Sequence, residues 1–364
     1  CNANHGGLFD TSVESDRWLD ESHQAVADFL NADDPTTISF GQNMTSLTMS
    51  LSRSLARTWK PGDEVIVTRL DHDANFRPWV LAANDAGVTV RVVDVHVEDC
   101  TLDLQQLQNY LNERTRLVAI GCASNSVGTV NPVAQICDWA RSAGALSFVD
   151  AVHYAPHRLI DVQAFGCDFL ACSAYKFFGP HIGIQWGRRD LLENLVPYKL
   201  SPAPDDLPGR WMTGTQSHES IVGTMAAVDY LAEIGEQLGG VGSRREQLET
   251  AFEAIEQHES MLASSLIRAL SELPNIRVWG ITDPARNSER MPTVSITHNK
   301  LDATEVARRL AKKGIFVWHG HYYALELSEL LGREPAGMVR LGLIHYNTSQ
   351  EVERLVQALR SLDG

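Results

Sequence analysis

Lysine is the scarcest charged residue of this 364-residue chain: six stand against 25 arginines. Positive charge as a whole is in deficit, and the formal net charge is −15. That balance argues against a nucleic-acid groove or an anionic membrane surface as partner. No apolar run approaches the length that spans a bilayer, so no membrane segment is expected. Cysteine is sparse and unpaired in pattern. Cys1, Cys100, Cys122, Cys137, Cys167 and Cys172 form no CxxC pair and suggest no metal site. Cys122, Cys167 and Cys172 lie in apolar stretches and read as small buried residues of a reduced, cytoplasmic protein. A dinucleotide-binding glycine motif is also missing. The one comparable cluster, LGGVGS, lies between helical patterns and follows no strand.

What is present is an alternation. Between about residue 36 and residue 190, apolar runs (TISF, DEVIVTRL, VTVRVVDV, TRLVAIGCAS, ALSFVD, FLACSA, GIQWG) alternate with amphipathic patterns such as residues 46–59 and 133–144. Continuous apolar strands separated by helices predict an α/β fold with a mostly parallel seven-stranded sheet covered on both faces. Residues 196–209 are rich in Pro and Asp and read as a long loop. Helical patterns follow over 220–235 and 243–273, then a smaller α/β region. The chain length suits two domains. The expected division is an N-terminal arm over 1–20 near the active site, a large domain over 21–239 and a small C-terminal domain over 240–364.

Open parallel sheets bind ligands beyond the carboxyl ends of their strands. The polar residues placed there are therefore the candidates. TISF is followed by a glycine turn and Asn43, Met44 and Thr45 at a helix start, where backbone N–H groups can bind phosphate. VTRL is followed by Asp71 and His72, VAIGCAS by Asn125, ALSFV by Asp150 and His153, and FLACSA by Tyr175 and Lys176. Taken alone, each has an ordinary reading as a cap, a turn residue or a strand-end lysine whose amine reaches solvent. Lys176 stands out because the other five lysines lie in turns, linkers or an exposed helix. An amine held in low dielectric is a nucleophile suited to a Schiff base. Asp150 closes an apolar run, so its carboxylate needs a cationic or hydrogen-bonding partner. Arg340, inside the apolar GMVRLGL, needs an anion: a substrate carboxylate or a structural acid.

The ordered set GQNMT, LDHDANFRPW, ASNSVG, VDAVH, SAYKFFGP, RWMTGTQ and RLGLIHYNT resembles the class V aminotransferase and cysteine desulfurase group of pyridoxal-phosphate enzymes, fold type I. The resemblance runs from about residue 20 to the end. It implies pyridoxal 5'-phosphate as cofactor and a homodimer with shared active sites. Lys176 would carry the cofactor and move the Cα proton. Asp150 would pair with the ring nitrogen, and His72 would stack on the ring. His153 stands where the family usually has glutamine. Asn43, Met44 and Ser173 would hold the phosphate, Tyr175 replaces a phosphate-binding histidine, and Thr215 would reach the phosphate of the partner subunit. Asn125 and Arg340 would grip the carboxylate of a small amino-acid substrate.

One departure matters. Desulfurases of this group carry a nucleophilic cysteine just after a Gly-His pair. The matching stretch here is VWHGHYYALEL, which would put Tyr323 at the cysteine position beside His321. Of the six cysteines only Cys1 sits at a chain end and is a candidate nucleophile. The expected activity is therefore cleavage of the Cβ–S bond of a cysteine-derived amino acid, which needs no protein thiol. An aminotransferase or epimerase would use the same Lys176 and Asp150. A true desulfurase is disfavoured by Tyr323, and a non-catalytic binding protein by the co-occurrence of Lys176, Asp150, His72 and Arg340. Trp318, His319, His321, Tyr322 and Tyr323 are expected to wall the substrate pocket in part.

Overall fold

The computed structural model describes residues 4–362. Seven strands build the main sheet: β1 (Ile38–Gly41), β2 (Glu64–Thr68), β3 (Thr89–Val93), β6 (Thr115–Gly121), β7 (Leu146–Asp150), β8 (Phe169–Ser173) and β9 (Gly183–Gly187). Two short strands, β4 (Val95–His96) and β5 (Thr101–Leu102), form a separate hairpin. The sheet order is β1-β9-β8-β7-β6-β2-β3. β3, β2, β6, β7 and β8 run parallel, and β9 is antiparallel to both of its neighbours. The seven apolar runs of the sequence are these seven strands. β2, β8 and β9 are buried along their whole length, which is why their sequences show no alternation. Separate apolar clusters cover the two faces of the sheet.

The parallel arrangement brings the ends of β1, β2, β6, β7 and β8 to one edge. Because β9 runs the other way, it delivers its first residue, Gly183, to that same edge. A Cβ on Gly183 would stand 2.3 Å from the Asn43 carbonyl carbon, so only glycine lets β9 pass this close to the next helix. That helix, Met44–Ala56, begins with a capping box in which Asn43 Oδ1 accepts from Ser46 N–H at 2.9 Å.

Four more strands, β10 (Ile276–Trp279), β11 (Thr293–His298), β12 (Trp318–Gly320) and β13 (Met338–Gly342), form an antiparallel sheet of order β10-β11-β13-β12. Helices Ala303–Ala311 and Ser349–Arg360 share its core. Helix Arg244–Ser271 serves both bodies. Leu248, Phe252 and Ile255 pack in the core of the main sheet, while Leu262, Leu266 and Leu270 pack in that of the second. At 28 residues it is about 42 Å long, enough to cross from one core to the other.

At the N-terminus a helix runs unbroken from Asp10 to Leu30, so residue 20 falls within it. It packs on helices His218–Gln237 and Arg244–Ser271. Ahead of it, the His5 ring lies 5.5 Å from that of His218. Residues 196–208 form a loop without a helix or strand, and a short 3₁₀ helix, Gly209–Trp211, follows. No helix among the described residues is long and apolar enough to cross a membrane.

Candidate active site

A cavity of about 280 Å³ opens at the strand-end edge. Asp71 and His72 follow β2, Asn125 follows β6, and Asp150 and His153 lie at and after the end of β7. Met44 and Thr45 reach it from the helix start, and Tyr175 and Lys176 from the 3₁₀ turn that ends β8. The second sheet contributes Arg340 from β13 and Trp318 from β12, and the turn after β12 brings Tyr322 and Tyr323.

Lys176 is open to the cavity, so its side chain has accessible surface. The surrounding protein nevertheless lowers its pKa, through desolvation first and the Arg340 charge second. Asp150 is 8% exposed, and Oδ1 accepts from Val152 N–H at 2.8 Å. Burial pushes its pKa up to about 6, against the pull of that bond and of Lys176. A carboxylate so placed is best stabilised by a cation in the cavity. His72 is held neutral. Desolvation, with the charges of Lys176 and Arg340, brings its pKa down to about 4, and Nδ1 accepts from Ala74 N–H at 3.0 Å. His153 is also held well below the usual histidine value, chiefly by burial, and Nε2 meets Thr293 Oγ1 of β11 at 3.0 Å.

Ser173 and Asn43 stand behind the wall rather than on it. Met44 N–H donates to Ser173 Oγ at 3.0 Å, which ties the end of β8 to the helix start. Tyr175 is stacked on His181 with centroids 4.9 Å apart. Thr215 is exposed and lies in a neighbouring groove with Gln42 and Ser217, outside this cavity. His321 does not line the cavity. Its Nδ1 accepts from Tyr323 N–H at 3.0 Å and so fixes the turn that does.

Asn125 donates through Nδ2 to Tyr322 O at 2.8 Å, and its buried Oδ1 has no partner among the described residues. Arg340 donates to Asn125 O at 2.8 Å and lies 4.6 Å from the centroid of the Tyr322 ring. Among the described residues no carboxylate pairs with it, and burial lowers its pKa. A partly buried guanidinium without an anion is a ready seat for an amino-acid carboxylate, while the Asn125 Oδ1 beside it can only accept and suits a donor such as the substrate ammonium. Cys100, Cys122, Cys137, Cys167 and Cys172 are buried free thiols, and none lines the cavity. Burial raises the pKa of each, to about 11 for Cys100 and Cys137. Cys1 lies outside the described residues.

Sequence reasoning gave Asp71 no role. The structure buries it on the cavity wall, with Thr68 Oγ1 donating to Oδ2 at 2.5 Å and Asn75 Nδ2 to Oδ1 at 3.0 Å. Burial pushes its pKa up to about 7, and the neighbouring Asp150 charge adds to this. His181 and Thr293 were also missed, because each acts through a residue that had been named.

Residues 1–355 match the family described as Aminotransferase class-V. A cysteine desulfurase of Pectobacterium atrosepticum is 32% identical over 372 residues, covering 98% of this chain and 85% of the relative. The aminotransferase-like protein FGM3 of Gibberella zeae is 33% identical over 363 residues, covering 98% and 86%. Among solved structures, an apo cysteine desulfurase from Thermococcus onnurineus NA1 superposes with a TM-score of 0.89 at 25% identity, covering 99% of this chain and 88% of that one. The cysteine desulfurase CsdA of Escherichia coli gives 0.84 at 26% identity, covering 100% and 88%. These relatives share the fold type I architecture. The lone amine, the buried carboxylate and the helix start gathered at one sheet edge suit pyridoxal 5'-phosphate, which enzymes of this group use. The chain belongs to the class V aminotransferase family and is a pyridoxal-phosphate-dependent enzyme.

Proposed function

We propose that the enzyme cleaves the Cβ–S bond of a cysteine-derived amino acid, releasing a thiol or persulfide. The observation that carries this reading is the content of the cavity: an amine, two buried carboxyls and an unpaired guanidinium, with a tyrosine turn and no described thiol. Lys176 is the group to bind the cofactor and to move the substrate Cα proton. Asp150 is placed to hold a proton at the cofactor ring nitrogen, and His72, kept neutral, to lie against the ring. The helix start at Met44, with Asn43 as its cap and Ser173 of β8 bonded behind it, suits the cofactor phosphate, and Tyr175 lies on the same cavity wall. Pyridoxal 5'-phosphate, when bound, supplies the sink for the electrons left at Cα.

Arg340 holds the substrate carboxylate, Asn125 Oδ1 accepts from the substrate ammonium, and Tyr323, positioned by His321, walls the cavity beside His72. His153, with Thr293 behind it, borders the cofactor. Once the Cα–H bond is broken, the Cα electron pair forms a double bond to Cβ as the C–S pair leaves with sulfur. The sulfur takes up a proton, and the released three-carbon enamine consumes one water to give pyruvate and ammonium. Nothing in this balance requires a protein thiol. Transamination or epimerisation would use the same residues and differ in where one proton lands.

The test is product analysis. Holoenzyme given cystine or S-methyl-L-cysteine without a keto acid should form pyruvate and ammonium in equal amounts. A strict requirement for a keto-acid acceptor would replace the reading with transamination, and alanine in place of pyruvate with desulfuration.

A further inference from the structure

We infer that the substrate carries an aromatic group on its sulfur: an S-aryl or S-aralkyl cysteine. This rests on the lyase reading above and names its substrate class. Trp318 and Tyr323 are 68% and 67% exposed, yet both line the cavity that holds Lys176 and Asp150. They form its solvent-facing rim. Trp318 is the register partner of Arg340 across β12 and β13, so both side chains project from the same face of the sheet. A substrate whose carboxylate sits on Arg340 thus has an indole beside it. The Tyr323 ring lies 5.5 Å from that of His72 with 26° between the planes, flat along another part of the wall.

Tyr323 is not a loose surface side chain. Tyr322 and Tyr323 have φ of +54° and +60°, a left-handed conformation that L-residues with large side chains avoid. Four contacts hold them there: Tyr322 O accepts from Asn125 Nδ2 at 2.8 Å, Tyr323 O from Asp73 N–H at 2.7 Å, Tyr323 N–H donates to His321 Nδ1 at 3.0 Å, and the Tyr322 hydroxyl donates to Met338 O. Backbone held this way beside a site is characteristic of a part that positions a ligand. Free cysteine would leave both rings in water. An aryl or benzyl group on sulfur would bury them and gain ring–ring contact.

Two measurements test this. With the holoenzyme, kcat/KM for pyruvate formation should be at least about ten-fold higher for S-benzyl-L-cysteine than for S-methyl-L-cysteine. Trp318→Ala should cut that ratio about ten-fold, and Trp318→Phe should restore most of it. Equal specificities, or a ratio that Trp318→Ala leaves unmoved, overturn the inference while the lyase reading stands. The second measurement does not depend on turnover. Calorimetric titration of the holoenzyme with 3-(benzylthio)propanoate and 3-(methylthio)propanoate, which lack the amino group, compares binding alone. Tighter benzyl binding that is lost in Trp318→Ala supports an aromatic site even if no pyruvate forms. Equal binding of the two overturns it whatever the product.

Discussion

Lys176 faces an open cavity, and its neighbours decide what its amine can do. Desolvation and Arg340 favour the neutral form, and the Asp150 carboxylate opposes them. Lys176→Ala should abolish the visible absorbance of the lysine-bound cofactor and reduce pyruvate formation to background, without unfolding the protein. His72 makes a separate prediction, for the cofactor-free protein. Its folded pKa of about 4 lies below the usual 6.5, so the unfolded chain binds more protons between those values. Acidification from pH 6.5 to 4 therefore costs stability through this residue, on the order of 2–3 kcal/mol. His72→Gln removes that loss, and urea unfolding at pH 7 and pH 4.5 should show the variant less destabilised by acid than the wild type. Most of the site could be read in the sequence because its residues directly follow apolar runs. Thr293 could not, since it reaches His153 across 140 positions. The burial of Asp71 was hidden as well, because its partners Thr68 and Asn75 give no chemical signal of their own.

At the scale of elements, the decisive feature is the junction of β1, β9 and the helix Met44–Ala56. Gly183→Ala would place a methyl 2.3 Å from the Asn43 backbone, and backbone cannot move aside as a side chain would. The variant should lose about 1–3 kcal/mol of stability from overpacking. It should also bind the cofactor more weakly, because Met44 and Ser173 are displaced together. Thermal melting with and without added pyridoxal 5'-phosphate measures both. Most strands of the main sheet were legible because a buried strand writes itself as a short apolar run, and β3, largely half-buried, because it is rich in β-branched Val and Thr. The reversed direction of β9 was not, since neither its length nor its composition differs from its parallel neighbours. The tyrosine turn was legible only as a departure from a motif. Its left-handed backbone depends on acceptor and donor positions supplied by Asn125, Asp73 and Met338.

At the scale of the molecule, helix Arg244–Ser271 joins two cores, and Arg340 and Trp318 come from the second sheet to a cavity built on the first. The expected division at residue 239 falls just ahead of this helix, whose first half still packs in the main core, and the site draws on both cores. Thr215 lies outside the cavity of its own chain, which fits the proposal that it serves the phosphate of a partner subunit. On that proposal the protein sediments as a dimer, and Thr215→Ala binds the cofactor about ten-fold more weakly, as for the loss of one hydrogen bond to a charged group. A monomer at micromolar concentration would rule out shared sites.

The claim beneath all of this is that C–S cleavage proceeds here without a protein thiol. The five described cysteines are buried with raised pKa values, which leaves Cys1 as the thiol to test. The measurement is the ratio of pyruvate to alanine formed from cystine by wild-type and Cys1→Ser holoenzyme. Pyruvate formed at the same rate by both, with no alanine, is the predicted result. Alanine from the wild type that disappears in Cys1→Ser would contradict it.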